Sequence, residues 1–259
     1  MPCPQLRALA WAALVAASAS PAFAFTPGQG KLLLTGGVSS IDGAAGGGLT
    51  PWAVTGSHAT GSEIGATAFF TRVKVQDYAL GAYGAAVGFG DRAELSIARQ
   101  DFDAGDNLAP LGLPGLHLKQ NIVGATLRVA GDAVLDSDTL MPQVAVGVLH
   151  KTTNAGALGP TLTGPLGAKD SGTDIYLSAT KLFLAQGFLV NGTLRATKAN
   201  QNGLLGFGGA ASGSYKLQPE VSVAYLLRRD LAIGAEYRAK PDNLNESVLG
   251  SGALKEDDW

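Results

Sequence analysis

Cysteine is nearly missing: the 259-residue chain has one, Cys3. That excludes a disulfide framework and any cysteine-based zinc cluster. Charge is also thin. Charged residues make up 15%, against roughly 25% in an ordinary soluble domain. The 19 basic residues nearly balance the 21 acidic ones, which leaves no electrostatic footprint for nucleic acid. Only three histidines are present, His58, His117 and His150. None has a second His or Cys at ligand spacing, so no metal and no cofactor is expected. Aromatics are 7%, and no run beyond the N-terminal segment reaches 18 apolar residues, so no membrane-crossing helix is expected. Disorder is excluded as well, because the low charge accompanies 46% hydrophobic residues.

Glycine is in excess, with 36 residues, about twice the ordinary share. Residues 1–24 carry Arg7, an apolar run from Ala8 to Ala17 and the box Ala22-Phe23-Ala24. This is the pattern of a secretory signal peptide. A run of about ten apolar residues is too short to span a bilayer. Phe25 rather than Cys follows, so no lipid anchor is expected. The expected organisation is a signal peptide over 1–24 and one domain over 25–259.

The domain reads with period two. In 189–197, Leu189, Asn191, Thr193, Arg195 and Thr197 alternate with Val190, Gly192, Leu194 and Ala196. Successive strand side chains point to opposite faces, so one face is polar and the other apolar or small. Segments 92–97, 123–129, 143–148, 174–180, 220–227 and 231–240 alternate in the same way. Strands are expected over 31–38, 50–58, 65–76, 78–89, 92–102, 118–132, 140–152, 173–184, 187–198, 214–228 and 230–240. The long ones exceed the usual five or six residues of a soluble strand and match tilted membrane strands. Tight turns at Phe89-Gly90-Asp91, Asp136-Ser137-Asp138, Ala185-Gln186-Gly187 and Arg228-Arg229-Asp230 interleave with long connections over 39–49, 103–117, 153–172, 199–213 and 241–254. The short link near Gln76-Asp77 is the exception. Together these features point to an all-β fold, a transmembrane antiparallel up-and-down β-barrel with short turns at one end and long loops at the other. A soluble barrel alternates too, so parity alone does not choose; strand length, loop alternation and the leader do. Eleven strands is an odd number where single-chain bacterial barrels have even ones. The expectation is a barrel truncated from 12 or 14 strands, with strand 230–240 unpaired on one side and a gap toward 31–38.

Several stretches resemble an uncharacterised proteobacterial family catalogued as domain of unknown function 3034. They are Gly43–Val54 (GAAGGGLTPWAV), Asp91–Phe102 (DRAELSIARQDF), Leu127–Val148, Asp174–Gly206 and Pro219–Leu244. The resemblance implies an outer-membrane barrel of no established activity, with further strands after Trp259. It brings no catalytic or binding residue with it.

Little in the sequence carries chemistry. No Gly-x-Ser-x-Gly elbow joins a strand to a helix, and the glycines of 43–48 and 208–213 open no helix that could cradle phosphate. Asp101-Phe-Asp103-Ala-Gly-Asp106 resembles a calcium loop in composition but lacks the closing bidentate Glu. His117 and His150 fall near the long-loop rim beside Asp101, Asp103 and Asp106, where an Asp/His pair could activate water. By parity the lumen collects Arg72, Lys74, Arg92, Arg128, Arg195, Arg238 and Lys240, with Glu94, Asp174, Glu220 and Glu236. The leading expectation is therefore a narrow channel or passive transporter for an unidentified small solute, with a mixed, net-basic lumen, and no enzymatic activity. One alternative is a closed structural or surface-interaction barrel; another is a rim hydrolase. The expected location is the outer membrane of a Gram-negative cell, reached through the periplasm. The expected partners are outer-membrane lipid, lipopolysaccharide and the barrel-assembly machinery, with no nucleic acid.

Overall fold

The structure, a computed structural model, describes residues 36–251 apart from 62, 107, 110, 111, 132–139, 229, 230, 242, 245, 248 and 249. The expected leader over 1–24, the start of the expected strand at 31–35 and the expected turn Asp136–Asp138 lie outside the described residues.

Two short strands, β1 (Val38–Ser39) and β2 (Ala45–Gly46), pair as a small hairpin. The main element is a nine-stranded antiparallel sheet in which each strand pairs with the next in sequence. Its strands are β3 (Ile64–Lys74), β4 (Ala79–Phe89), β5 (Ala93–Asp103), β6 (His117–Ala130), β7 (Gln143–Asn154), β8 (Ser171–Phe183), β9 (Phe188–Thr197), β10 (Lys216–Arg228) and β11 (Leu231–Arg238). A last small hairpin joins β12 (Glu246–Ser247) to β13 (Gly250–Ser251). Helix is confined to short turns and α1 (Gly159–Thr163) in the β7–β8 loop. No helix among the described residues is long and apolar enough to cross a membrane.

The sheet curls. Side chains from β5, β7, β8, β9, β10 and β11 all reach the same enclosed segment, residues 41–56. Its faces are divided as period two requires. On β9 and β10, Leu194 (45% exposed) and Val223 (37%) point outward while Arg195 (3%) and Ser222 (1%) point inward. Outward apolar and inward polar positions alternate along most of the sheet.

The observed sheet has nine strands where eleven were expected, and the difference lies at the start. Residues 36–38 and 50–58 are not strands of the wall. They belong to a segment lodged against the inner face, and no residue from Gly36 to Thr60 is exposed. Glycine accounts for this: Gly37, Gly43 and Gly48 sit at φ of +68°, +92° and +120°, which breaks an extended course where other residues would resist it. At the other edge, β11 pairs with β10 alone and β3 with β4 alone among the described residues.

Connections at one end, 75–78, 104–116, 155–170 and 198–215, include the long loops; those at the other include 90–92 and 184–187. The long loops are packed together. Leu116, Leu118, Leu162, Leu166, Leu204 and Leu244 share one apolar cluster, and Phe207 bridges to both Lys169 and Ala199. The loops form a cap over that end of the sheet.

Candidate functional site: a filled interior

The interior is built by inward residues of the wall meeting residues 40–57. Three acids and three bases form its centre. Lys151 Nζ lies 3.4 Å from Asp42 Oδ1 and 3.0 Å from Asp174 Oδ2. Arg195 reaches Glu220 at 2.5 Å, Asp174 at 3.2 Å and Asp42 at 3.6 Å. Arg238 reaches Asp42 at 3.0 Å and Glu220 at 3.4 Å. All six are buried. Asn202, from the β9–β10 loop, donates from Nδ2 to Asp42 and accepts from Lys151 and Arg238, and Thr197 donates to Asp174. Burial alone would raise the Asp42 carboxyl. The cations Lys151, Arg238 and Arg195 outweigh it and hold the group well below the usual carboxylate range.

Two further acids bind the segment's backbone. Glu94 accepts from the amides of Ala45 (3.1 Å) and Gly56 (2.6 Å). Glu236 accepts from the amides of Leu49 (2.7 Å) and Thr50 (3.3 Å) and from the Thr50 and Ser222 hydroxyls. Trp52 Nε1 donates to Ser222 Oγ at 3.0 Å. The segment's carbonyls are met as well. Pro51 O accepts from Ser178, Asn191 and Thr193, Ile41 O from Gln100, Ala53 O from Gln143, and Leu49 O from Arg238. Ala53 N donates to Thr180 Oγ1 at 2.7 Å. At the short-turn end Asp91 ties Thr55 (2.8 Å) to Arg128 (2.5 Å). Buried donors and acceptors need partners, and here wall and segment supply most of each other's; the Ser40 and Ser57 hydroxyls and the Gln100 and Gln120 side-chain carbonyls make no hydrogen bond among the described residues. Shape agrees. Ile41 and Ala44 pack with Phe69, Ala82, Ile122, Leu149 and Tyr176, while Ala45, Trp52 and Val54 pack with Leu182 and Leu189. A Cβ on Gly47 would collide with Glu236, and one on Gly147 with the Tyr176 ring.

Of the residues expected to line the lumen, Glu94, Asp174, Arg195, Glu220, Glu236 and Arg238 face this interior. Arg128 sits at the inner rim, half-buried beside a bulge. Lys240 lies just past β11, with Nζ 2.8 Å from Gln201 Oε1. Three do not line it. Arg72 and Lys74 share the outward parity of Ile64 and Phe70, because Phe69 takes the inward position and packs on Ala82 and Ile122. Arg92 is exposed in the β4–β5 turn. Two central residues escaped the sequence reading. Lys151 continues the inward series Gln143, Ala145, Gly147, Leu149, so parity carried four residues further would have found it. Asp42 sits in a glycine-rich stretch without period, where no sequence signal marks it.

At the rim, His117 Nδ1 lies 2.7 Å from Asp101 Oδ1, and its Nε2 lies 3.8 Å from Asp103. His117 borders an open groove of about 440 Å³ with Lys119, Asn154 and Gly112–Leu116. His150 is apart, hydrogen-bonded to Thr173. No cluster of three His, Cys, Asp or Glu suited to a metal occurs among the described residues.

No curated protein and no solved structure was found to match this chain. The family model described as "Protein of unknown function (DUF3034)" matches residues 35–259, from the enclosed segment through the sheet, and the chain belongs to that family.

Proposed function

We propose that this is an outer-membrane β-barrel of a Gram-negative cell, closed by its own residues 36–60, which serves a structural or surface-interaction role and performs no catalysis. The observation that carries the reading is the filled interior. Its central charges balance three against three, and its other inward acids, Glu94 and Glu236, hold backbone amides of the segment. The membrane part is supported by an inverted pattern: Ile64 (66% exposed), Phe70 (59%), Ile97, Val123, Ile175 and Ile233 lie outside, while charge and amide side chains lie inside. A water-soluble protein rarely exposes so continuous an apolar face. Exposed aromatics fall toward both ends of the strands, Phe89, Phe188 and Tyr225 at one and Tyr78, Tyr215 and Tyr237 at the other, with Phe70 and Tyr83 near mid-strand; interfacial girdles occupy such strand ends.

The net-basic pore loses support, because three of its cations, Arg72, Lys74 and Arg92, face away from the lumen. One observation favours the hydrolase reading, the Asp101–His117 pair, but both side chains are well exposed and no third group completes a site among the described residues. Planar-bilayer recording of the purified, heat-modifiable protein tests the proposal. A closed barrel inserts without steady ohmic conductance. Steady open channels from the unaltered chain would sink it.

A further inference from the structure

We propose that the outward faces of β3 to β6, at their long-loop ends, form a contact site for a phosphorylated glycolipid, the lipopolysaccharide of the outer leaflet. The inference rests on the membrane reading above and adds where one lipid partner is held. Three outward cations lie there, Arg72 and Lys74 on β3 and Lys119 on β6, and a fourth, Arg99, stands on the same face near the middle of β5. The register gathers them. Arg72 stands opposite Gly81, Gly81 opposite Asp101, and Asp101 opposite Lys119. Phe70, Tyr83 and Arg99 form the next outward row toward the middle of the sheet. With neighbouring strands about 4.8 Å apart, the row from Arg72 to Lys119 spans about 14 Å, room for a disaccharide-sized headgroup. Gly81 leaves open space within it, since an added Cβ would meet nothing closer than 3.9 Å.

The charge is available. Arg72, Lys74 and Arg99 have no ion-pair partner among the described residues. The acids of the patch are Asp101 and Asp103, which face His117 at 2.7 and 3.8 Å, and Asp77 in the β3–β4 turn; Lys119 shares Asp101 at 3.7 Å. The patch is also one-sided. At the long-loop ends of β9 and β10 the outward strand residues are Ala196, Leu217 and Pro219, and Lys198 just beyond β9 lies over the Tyr215 ring at 4.7 Å. Cations on a lipid-facing surface are unfavourable in hydrocarbon and tolerated toward the interface. There a phosphate gives arginine charge-assisted, bidentate hydrogen bonds. Tyr78, in the β3–β4 turn and stacked on Phe102, supplies an interfacial aromatic at headgroup level.

Native mass spectrometry of the full chain in detergent with chelator compares diphosphorylated lipid A with its dephosphorylated counterpart. The unaltered protein should prefer the phosphorylated lipid at least tenfold, and Arg72→Gln with Arg99→Gln should reduce that preference about tenfold. Both side chains are exposed, so the double variant should keep its heat-dependent gel migration and outer-membrane fractionation. Those two readouts judge the barrel itself; their loss in the unaltered protein would overturn the membrane reading and this site with it. An intact barrel with no phosphate preference, or a preference unchanged in the double variant, overturns the lipid site alone.

Discussion

Asp42 meets three cations within 3.6 Å: Lys151, Arg195 and Arg238. Removing one partner from a buried ion network leaves uncompensated charge, at a cost of about 3–5 kcal/mol. Asp42→Asn should lower the urea-unfolding free energy in micelles by that order, while Arg92→Gln, in an exposed turn, should stay within about 0.5 kcal/mol. The sign of the pH dependence follows from the depressed Asp42 titration. Its stabilisation is complete above the ordinary carboxylate value of about 4 and is lost as pH falls from there toward the depressed value. Urea midpoints should therefore drop below about pH 4, and more steeply for the unaltered chain than for Asp42→Asn. Gly147 makes a steric case. Its missing Cβ leaves the place that the Tyr176 ring takes, so Gly147→Val should cost roughly 1–3 kcal/mol through overpacking. Gly213→Ala, with open space around it, should be nearly neutral in the same unfolding assay.

On single strands the prediction turns on parity. On the proposed membrane reading Leu194→Arg places a charge against lipid, at a cost of up to roughly 2–4 kcal/mol, and should abolish heat-dependent gel migration, whereas Leu194→Phe should retain it. Arg195→Gln is not silent either, because Glu220 and Asp174 each lose one of their two cations among the described residues and keep Arg238 and Lys151 respectively; it should assemble yet unfold at lower urea. Epitopes inserted at Gly164–Pro165 or Gly213–Ser214, exposed points of the capping loops, should be stained on intact cells. Staining only after permeabilisation would invert the topology. The alternation of 174–180, 189–197 and 220–227 made these strands readable in sequence, because each has one consistently polar face. β3 misleads: its parity reads with Arg72 and Lys74 on the lumen face, yet Phe69 is the buried position and fixes the opposite parity. Residues 36–60 were unreadable because their structure comes from contacts with residues far along the chain, such as Ala45 with Glu94, 49 positions away, and Asp42 with Arg238, 196 away, and short-range periodicity carries none of that.

For the whole molecule the account makes wall and enclosed segment one folding unit. The wall's inward polar groups are buried and many find partners in residues 40–57; the segment's backbone, irregular apart from the β1–β2 hairpin, finds many of its partners in the wall. Loosening the segment should therefore weaken the barrel and open it together. Thiol labelling tests this most directly. With Cys3 replaced by serine the chain has no other cysteine, so Ala53→Cys gives a single thiol at a position with 0% exposure. In outer-membrane preparations a small water-soluble maleimide should leave this thiol unmodified until the protein is denatured, while a thiol placed at the exposed Gly213 labels at once. Ready labelling of Cys at position 53 in the folded, heat-modifiable protein would mean that residues 36–60 do not fill the interior, and would contradict the account.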